Sequence, residues 1–309
     1  MSPSSAAPQS RPRTVVLVGV SSGIGRHAAL RLGRQGHRLL LVGRDSRRGE
    51  SVAAAVNARA GDPRRAVFIA GDVSTRAGIE AVVERVTALT DRVDTLLNNA
   101  GVMLPGRQVT AEGHEMHFAV HHLAPWTMTG LLLPLLERGD GRIVNTGSEG
   151  HHTTLTGMRV ALDFDDLESE RYSMFQAYSR SKLANLLFTY EFHRRYPRFT
   201  IAAVHPGMVS TRLIRGAGLR NPPLWLLYQA MRPTLLRPSQ GGRPLAHLAT
   251  APDIANGRYY DRFTPRASSA ASMNEADARR LWEITESLRG PLEPSPAPDG
   301  VGGGDMPGG

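Results

Sequence analysis

The 309-residue chain contains no cysteine. Disulfides, thiolate nucleophiles and cysteine–zinc sites are therefore excluded. The composition suits a reducing compartment, so we expect a cytoplasmic protein. No stretch approaches the roughly 18 uncharged apolar residues that a membrane-spanning helix requires. We therefore expect no transmembrane segment.

Lysine is almost missing as well. Of the 37 lysine and arginine residues, only Lys182 is a lysine. Arginine cannot replace lysine where a compact ammonium with an adjustable pKa is needed. The net charge of +9 comes from arginines scattered among acidic residues, and this pattern favours a solvated basic surface over nucleic-acid binding. The retained lysine directs the search for chemistry to its surroundings.

Short apolar runs alternate with helical patterns along the chain. Strand-like runs occur at residues 14–19, 38–43, 66–70, 95–98, 142–146 and 200–205. Such an alternation predicts a parallel sheet covered by helices on both faces. We predict one doubly wound, Rossmann-type α/β domain over residues 14–290, with a mostly parallel sheet of seven strands. The flanking segments 1–13 and 291–309, rich in Pro, Ser or Gly, are predicted to be disordered tails.

A glycine-rich segment follows the first predicted strand and opens the first helix. Its candidate cofactor-binding residues are Gly19, Ser21, Ser22, Gly23, Ile24 and Gly25. Glycines here permit a tight turn and let backbone N–H groups approach a pyrophosphate at the positive end of a helix. The spacing is Gly-x-x-x-Gly-x-Gly, not the common Gly-x-Gly-x-x-Gly. The segment predicts a dinucleotide-binding loop.

Charged residues follow the second and third strands. Arg44 matches a 2′-phosphate, which favours NADP(H), whereas Asp45 keeps NAD(H) as the alternative because an acid here bonds the ribose hydroxyls. After the third strand come Asp72 and Val73. The Asp72 carboxylate either accepts a hydrogen bond from the adenine amino group or caps the helix ahead of Ser74.

Tyr178 and Lys182 are four residues apart in a helical pattern, so both side chains lie on one face. A phenol with a pKa of ~10 is a poor acid or base at neutral pH. A neighbouring ammonium stabilises the phenolate and brings this pKa closer to neutrality. The pair therefore predicts a proton donor for a carbonyl, or an acceptor for an alcohol.

These motifs, in this order, resemble the short-chain dehydrogenase/reductase family over about residues 14–290. Besides the glycine loop and the Tyr178–Lys182 pair, the matching segments are Asn98-Asn99-Ala100-Gly101, Ser148 and His205-Pro206-Gly207. Segments 163–167, 178–185 and 281–283 are similar to the retinol dehydrogenase-like branch in particular.

The resemblance implies hydride transfer between C4 of a nicotinamide and a carbonyl carbon. It implies that Ser148 hydrogen-bonds the substrate oxygen and that Tyr178 transfers the proton. Lys182 would bind the nicotinamide ribose and lower the pKa of the tyrosine. The further cofactor-binding residues implied by the family are Asn99, Ala100, Gly101, Pro206, Gly207, Val209 and Thr211.

Two departures from the family pattern concern the site. Val18 replaces the usual threonine before the glycine loop, and we expect this to loosen the loop's hydrogen bonding. His121 stands where the family has a catalytic asparagine that holds a water linking the lysine to solvent protons. Either the histidine does similar work or the enzyme is slow. His114, His117 and His121 have a spacing that can bind zinc, but structural histidines are favoured, so no metal is predicted.

Residues 212–240 occupy the position of the family's substrate lid. Their apolar and aromatic side chains favour a small-molecule substrate, a carbonyl or alcohol that carries a bulky hydrophobic group. A packing helix is the second alternative, and a membrane-surface contact through Arg220, Arg232 and Arg237 is the third. A homo-oligomer is compatible with the sequence. The competing function is a catalytically silent dinucleotide-binding sensor or scaffold, which only His121 favours.

Overall fold

A computed structural model describes residues 11–154, 157–210, 225–226, 229–230 and 232–292. Its strands are β1 Thr14–Val18, β2 Arg38–Gly43, β3 Ala66–Ala70, β4 Thr95–Asn98, β5 Arg142–Thr146, β6 Thr200–His205, β7 Arg258–Asp261 and β8 Thr264–Arg266. They form one sheet in the order β3-β2-β1-β4-β5-β6-β7-β8. The structure confirms the single doubly wound domain.

The sheet has eight strands, one more than predicted. The pairs from β3 across to β7 are parallel, and only β8 runs antiparallel to its neighbour β7. Strand β8 has three residues, Thr264–Arg266, all of them exposed. A strand this short and exposed carries none of the apolar patterning by which strands are recognised in a sequence.

Helices cover both faces of the sheet. They are α1 Gly23–Arg34, α2 Ser46–Ala60, α3 Arg76–Leu89, α4 Met116–Phe118, α5 Ala124–Glu137, α6 Met174–Arg195, α7 Pro238–Thr250 and α8 Glu275–Arg289. In β1, Val15 and Leu17 pack towards α1, α2 and α7, whereas Val16 and Val18 pack towards α3, α5 and α6. Both faces are therefore buried, as a parallel sheet with crossover helices requires.

The helical pattern of residues 112–136 predicts one continuous helix, but the structure divides it. It begins at Met116, because the Glu115 carboxylate accepts hydrogen bonds from the N–H groups of His117 and Phe118. A π-helical turn, Ala119–Leu123, then joins α4 to α5. A single π turn inserted into an α-helix is frequent at functional sites, and this one carries His121.

Several predictions for the chain ends and loops lie outside the described residues. These concern segments 1–10 and 293–309, Thr211, and residues 212–224, 227, 228 and 231 of the predicted lid. The described lid residues are 225, 226, 229 and 230, which are helical, and 232–240, which include the 3-10 helix Arg232–Thr234 and the start of α7. Arg13, assigned to the tail from the sequence, instead donates its backbone N–H to His37 and its guanidinium to the Ala249 carbonyl. Within the described part of the chain, every helix is too short or too polar to cross a membrane.

Candidate active site

The carboxyl ends of the central strands open into one cavity of about 940 Å³. Strands β1 and β4 are neighbours in the sheet although β2 and β3 lie between them in sequence. Ligands of open α/β sheets bind at such a reversal of strand order. Every predicted site residue that the structure describes lines this cavity except Gly25.

Gly25 supports the glycine loop from behind. A Cβ atom there would lie 2.1 Å from the Gly19 carbonyl oxygen, and one at Gly19 would lie 2.6 Å from the backbone of Ala100. The Asn99 amide donates to the Gly19 carbonyl at 2.8 Å, and its backbone N–H donates to the Val18 carbonyl at 3.1 Å. The loop is thus held through Asn99, without a hydroxyl at position 18.

The end of β2 is positively charged. Asp45 caps α2 by accepting from the Arg48 N–H at 3.0 Å, and it pairs with the Arg48 guanidinium at 3.1 Å. Arg44 forms no ion pair with any described residue, and both arginines line the cavity. Arg48 was not predicted as a site residue, although an arginine four residues after Arg44, in the first turn of the next helix, is a signal that the sequence contains.

Asp72 lines the cavity at the end of β3. Its carboxylate accepts from the Ser74 N–H at 3.0 Å. The helix-capping alternative for Asp72 is wrong, because Thr75 caps α3 by accepting from the Gly78 N–H. A carboxylate in this turn is free to accept a further hydrogen bond, such as one from an adenine amino group.

Three side chains meet at the nicotinamide end of the cavity. The Tyr178 hydroxyl lies near the Ser148 side chain, which lowers the tyrosine pKa relative to burial alone. Lys182 lies one helical turn further along α6, with Nζ 5.9 Å from the centroid of the Tyr178 ring. Its ammonium donates to the Thr146 carbonyl at 2.8 Å, which anchors it at the end of β5.

Burial controls the protonation of this group. It lowers the pKa of Lys182 to about 7. It also raises the pKa of Tyr178, and Ser148 offsets this only in part. Burial therefore dominates the pKa of Tyr178 in this structure, and the lowering expected from Lys182 stays a prediction. Tyr178 holds its proton, as a donor to a carbonyl oxygen must.

His121 is hydrogen-bonded through both ring nitrogens. Nε2 accepts from the Val102 N–H at 3.0 Å, so Nδ1 carries the proton and donates to Ser181 at 2.7 Å. Ser181 in turn donates to the Tyr178 carbonyl at 2.7 Å. Burial, then the charges of Lys182 and His117, lower the pKa of His121 well below its usual value. This neutral ring connects the loop after β4 to the helix that carries Tyr178.

The other two histidines of the proposed zinc spacing also bond to protein groups. His117 Nε2 accepts from the Leu104 N–H at 3.1 Å, and its Nδ1 lies 2.7 Å from a Glu115 oxygen. His114 Nδ1 lies 2.8 Å from Glu168. Among the residues that the structure describes, no cluster of histidines and acids is arranged to hold a metal ion.

Comparison with known proteins extends over most of the chain. The family described as short chain dehydrogenase matches residues 13–160. Retinol dehydrogenase 12 of Mus musculus is 36% identical over 285 residues, covering 90% of this chain and 86% of that protein. A Streptomyces sp. (strain C5) protein, provisionally named daunorubicin C-13 ketoreductase DnrU, is 34% identical over 282 residues, covering 90% and 93%.

A solved structure shows the same architecture. The crystal structure of an uncharacterized protein from Mycobacterium paratuberculosis matches with a TM-score of 0.69 and 28% identity. It covers 90% of this chain and 93% of that one. The likeness therefore includes the region beyond residue 160 as well as the cofactor end.

Proposed function

Because this chain belongs to the short-chain dehydrogenase/reductase family, in its retinol dehydrogenase-like branch, we propose a specific form of that family's chemistry. The protein is an oxidoreductase that acts on CH–OH groups with NAD(P). Our proposal is that NADP(H) is the cofactor and that a hydrophobic ketone, aldehyde or alcohol is the substrate. The observation that carries it is the grouping of Ser148, Tyr178 and Lys182 in one cavity, with Tyr178 near Ser148.

The residues present fit a nicotinamide dinucleotide. A side chain at Gly19 or Gly25 would collide with neighbouring backbone, so glycine lets the loop fold tightly at the start of α1. The backbone N–H groups there would bind a pyrophosphate. Arg44 and Arg48 would hold a 2′-phosphate, Asp72 and Val73 would contact the adenine, and Asn99 to Gly101, Pro206, Gly207 and Val209 would line the nicotinamide side. When bound, the cofactor supplies or accepts the hydride.

The protein's own groups handle the oxygen and its proton. Ser148 and Tyr178 present two hydroxyls to the substrate oxygen, and Tyr178 gives its proton to that oxygen during reduction. The Lys182 ammonium then stabilises the phenolate left behind. With a pKa of about 7, Lys182 is still partly charged at neutral pH.

A hydrophobic substrate is supported by apolar side chains in the cavity that contains Ser148. The lining of this cavity includes Met174, Phe175, Met208 and Leu235. These side chains favour binding of a bulky apolar group next to the reacting carbon.

We also propose a cytoplasmic location, which the lack of cysteine suits, and fractionation of cells expressing the protein would test it.

Turnover with a panel of hydrophobic carbonyls tests the function directly. The purified protein would be incubated with NADPH or NADH, and the absorbance of the reduced cofactor followed. We expect oxidation of NADPH that depends on the carbonyl. Cofactor binding without turnover of any carbonyl or alcohol would instead support the alternative, a silent dinucleotide-binding sensor or scaffold.

The cofactor preference is expected to depend on Arg44. Replacing Arg44 with alanine should lower the preference for NADPH over NADH by about 10- to 100-fold, because one charge-assisted hydrogen bond to the phosphate is lost. The ratio of kcat/KM for the two cofactors is the measurement. Arg47→Ala is the matched control, since Arg47 is exposed on α2 and does not line the cavity. An equal effect of both substitutions would contradict the assignment.

The neutral state of His121 leads to a second prediction, on the pH dependence of kcat. His121→Asn should leave the pH dependence of kcat unchanged between about pH 6 and 9, because the buried imidazole does not titrate there. We expect kcat within about threefold of the wild type, because an amide can also accept from the Val102 N–H. Loss of a wild-type inflection in the variant's pH profile would instead show that His121 moves protons.

A further inference from the structure

Building on the proposed carbonyl–alcohol chemistry, we propose that Glu149 selects substrates that carry a cationic amine beside the reacting carbonyl or alcohol. Glu149 directly follows Ser148 and lines the same cavity. The remainder of such a substrate would be apolar. No sequence motif marks this residue, and the proposed proton transfer does not use it.

The position of Glu149 in the cavity separates it from the cofactor-binding acids. Among the described residues that line the cavity, the only other carboxylates are Asp45 and Asp72, which follow β2 and β3 at the adenosine end. Glu149 instead follows β5, in the short 3-10 helix Glu149–His151 that Ser148 caps. The same cavity is also lined by apolar side chains, among them Met174, Phe175 and Met208. A carboxylate in such a cavity matches an apolar ligand with a single cation.

One carboxylate oxygen of Glu149 remains available to a ligand. The Tyr259 hydroxyl donates to Oε1 and thereby restricts the side chain. No described residue donates a hydrogen bond to Oε2, and its nearest charged or basic neighbour is His152 Nε2 at 3.9 Å, beyond hydrogen-bonding range. The Glu149 side chain is 51% exposed. The carboxylate is therefore both held in place and accessible.

The surrounding groups leave this carboxylate negatively charged. Burial alone would raise the pKa of Glu149, but the Tyr259 hydrogen bond, and then the positive charge that His205 and the other nearby imidazoles carry at acidic pH, lower it overall. Burial lowers the pKa of His151 to about 4, and it also lowers that of His205. These two imidazoles are thus neutral near pH 7 and do not cancel the charge. An ammonium would supply the missing cation.

Selectivity between two matched ketones tests the proposal. One is an aryl ketone with a primary amine on the carbon next to the carbonyl, and the other is its N-acetylated counterpart, which is neutral. We expect wild-type kcat/KM with NADPH to favour the amine by roughly 10- to 100-fold, the range for a hydrogen bond between charged groups. In Glu149→Gln this ratio should fall to about one.

Glu84→Gln is the matched control, because it removes the same charge from an exposed position on α3 outside the cavity lining. It should keep the wild-type ratio. A wild-type ratio near one, or a ratio that Glu149→Gln leaves unchanged, would overturn the proposal. So would an equal loss on both ketones in Glu149→Gln, which would assign Glu149 to holding the turn of Ser148.

The same assay distinguishes this inference from the function on which it rests. If the wild type reduces the neutral ketone but shows no preference for the amine, only the role of Glu149 fails. If it reduces neither ketone nor any other carbonyl, the proposed function fails and the selectivity fails with it.

Discussion

Tyr178→Phe is expected to lower kcat by about 10³-fold, within the range that general acid–base catalysis contributes. The substitution removes the Tyr178 hydroxyl, which lies near Ser148 on the helix of Lys182, and it changes little else in the packing. Burial keeps the Tyr178 hydroxyl protonated, so in the direction of carbonyl reduction it is a ready donor. The measurement is single-turnover oxidation of NADPH with a saturating hydrophobic ketone.

A second tyrosine provides the control for Tyr178→Phe. Tyr190 is also buried on α6, and its hydroxyl bonds to Ser268 outside the cavity lining. Tyr190→Phe should retain wild-type turnover. Fluorescence titration with NADPH should give the same dissociation constant for both variants as for the wild type. Retention of more than about a tenth of kcat in Tyr178→Phe would show that another group carries the proton.

Much of the fold could be predicted because its strands are uninterrupted apolar runs. The observed bounds of β2, Arg38–Gly43, and β6, Thr200–His205, are those predicted, since each run is buried on both faces of the sheet. The π turn at Ala119–Leu123 could not be predicted in the same way. One extra residue in a helical turn leaves the apolar periodicity almost unchanged, and only tertiary contacts such as that of His121 with Val102 reveal it.

The site shows a similar division. Motif residues such as Asn99 and Ser148 could be placed together because the carboxyl ends of parallel strands meet at one edge of the sheet. The protonation state of Tyr178 could not be predicted, because sequence spacing shows that an ammonium is nearby but not how completely packing excludes water. Glu149 was missed for another reason. Its importance comes from a contact with Tyr259, which is distant in sequence, and from a cavity shape that no local pattern records.

Lys182→Met is expected to lower kcat by about 10²-fold or more, because the charge that stabilises the phenolate is lost. The same substitution should change how stability depends on pH. Lys182 is buried, its ammonium donates to the Thr146 carbonyl, and no described carboxylate lies within ion-pair distance of it. Such an uncompensated buried charge destabilises the folded protein, a cost that active sites commonly carry.

The sign of the pH effect follows from the direction of the shift. Folding lowers the pKa of Lys182 from 10.5 to about 7, so between these values the unfolded chain binds more protons than the folded one. The wild type should therefore gain stability relative to Lys182→Met as pH rises through this window, with a slope of about 1.4 kcal/mol per pH unit. Below the folded pKa both states are protonated, so the relative slope should vanish. Urea denaturation of both proteins across the window measures it.

Lys182→Arg separates the loss of charge from the loss of a titrating group. A guanidinium remains protonated throughout this pH range, so the variant should lack the slope although it keeps the cation. It should also lose most turnover, because the wider planar group cannot occupy the space of an ammonium that bonds the Thr146 carbonyl at 2.8 Å. A wild-type slope equal to that of both variants would show that Lys182 does not titrate in this window. High turnover in Lys182→Arg would show that any cation suffices, and that the single lysine among 37 basic residues is not required for catalysis.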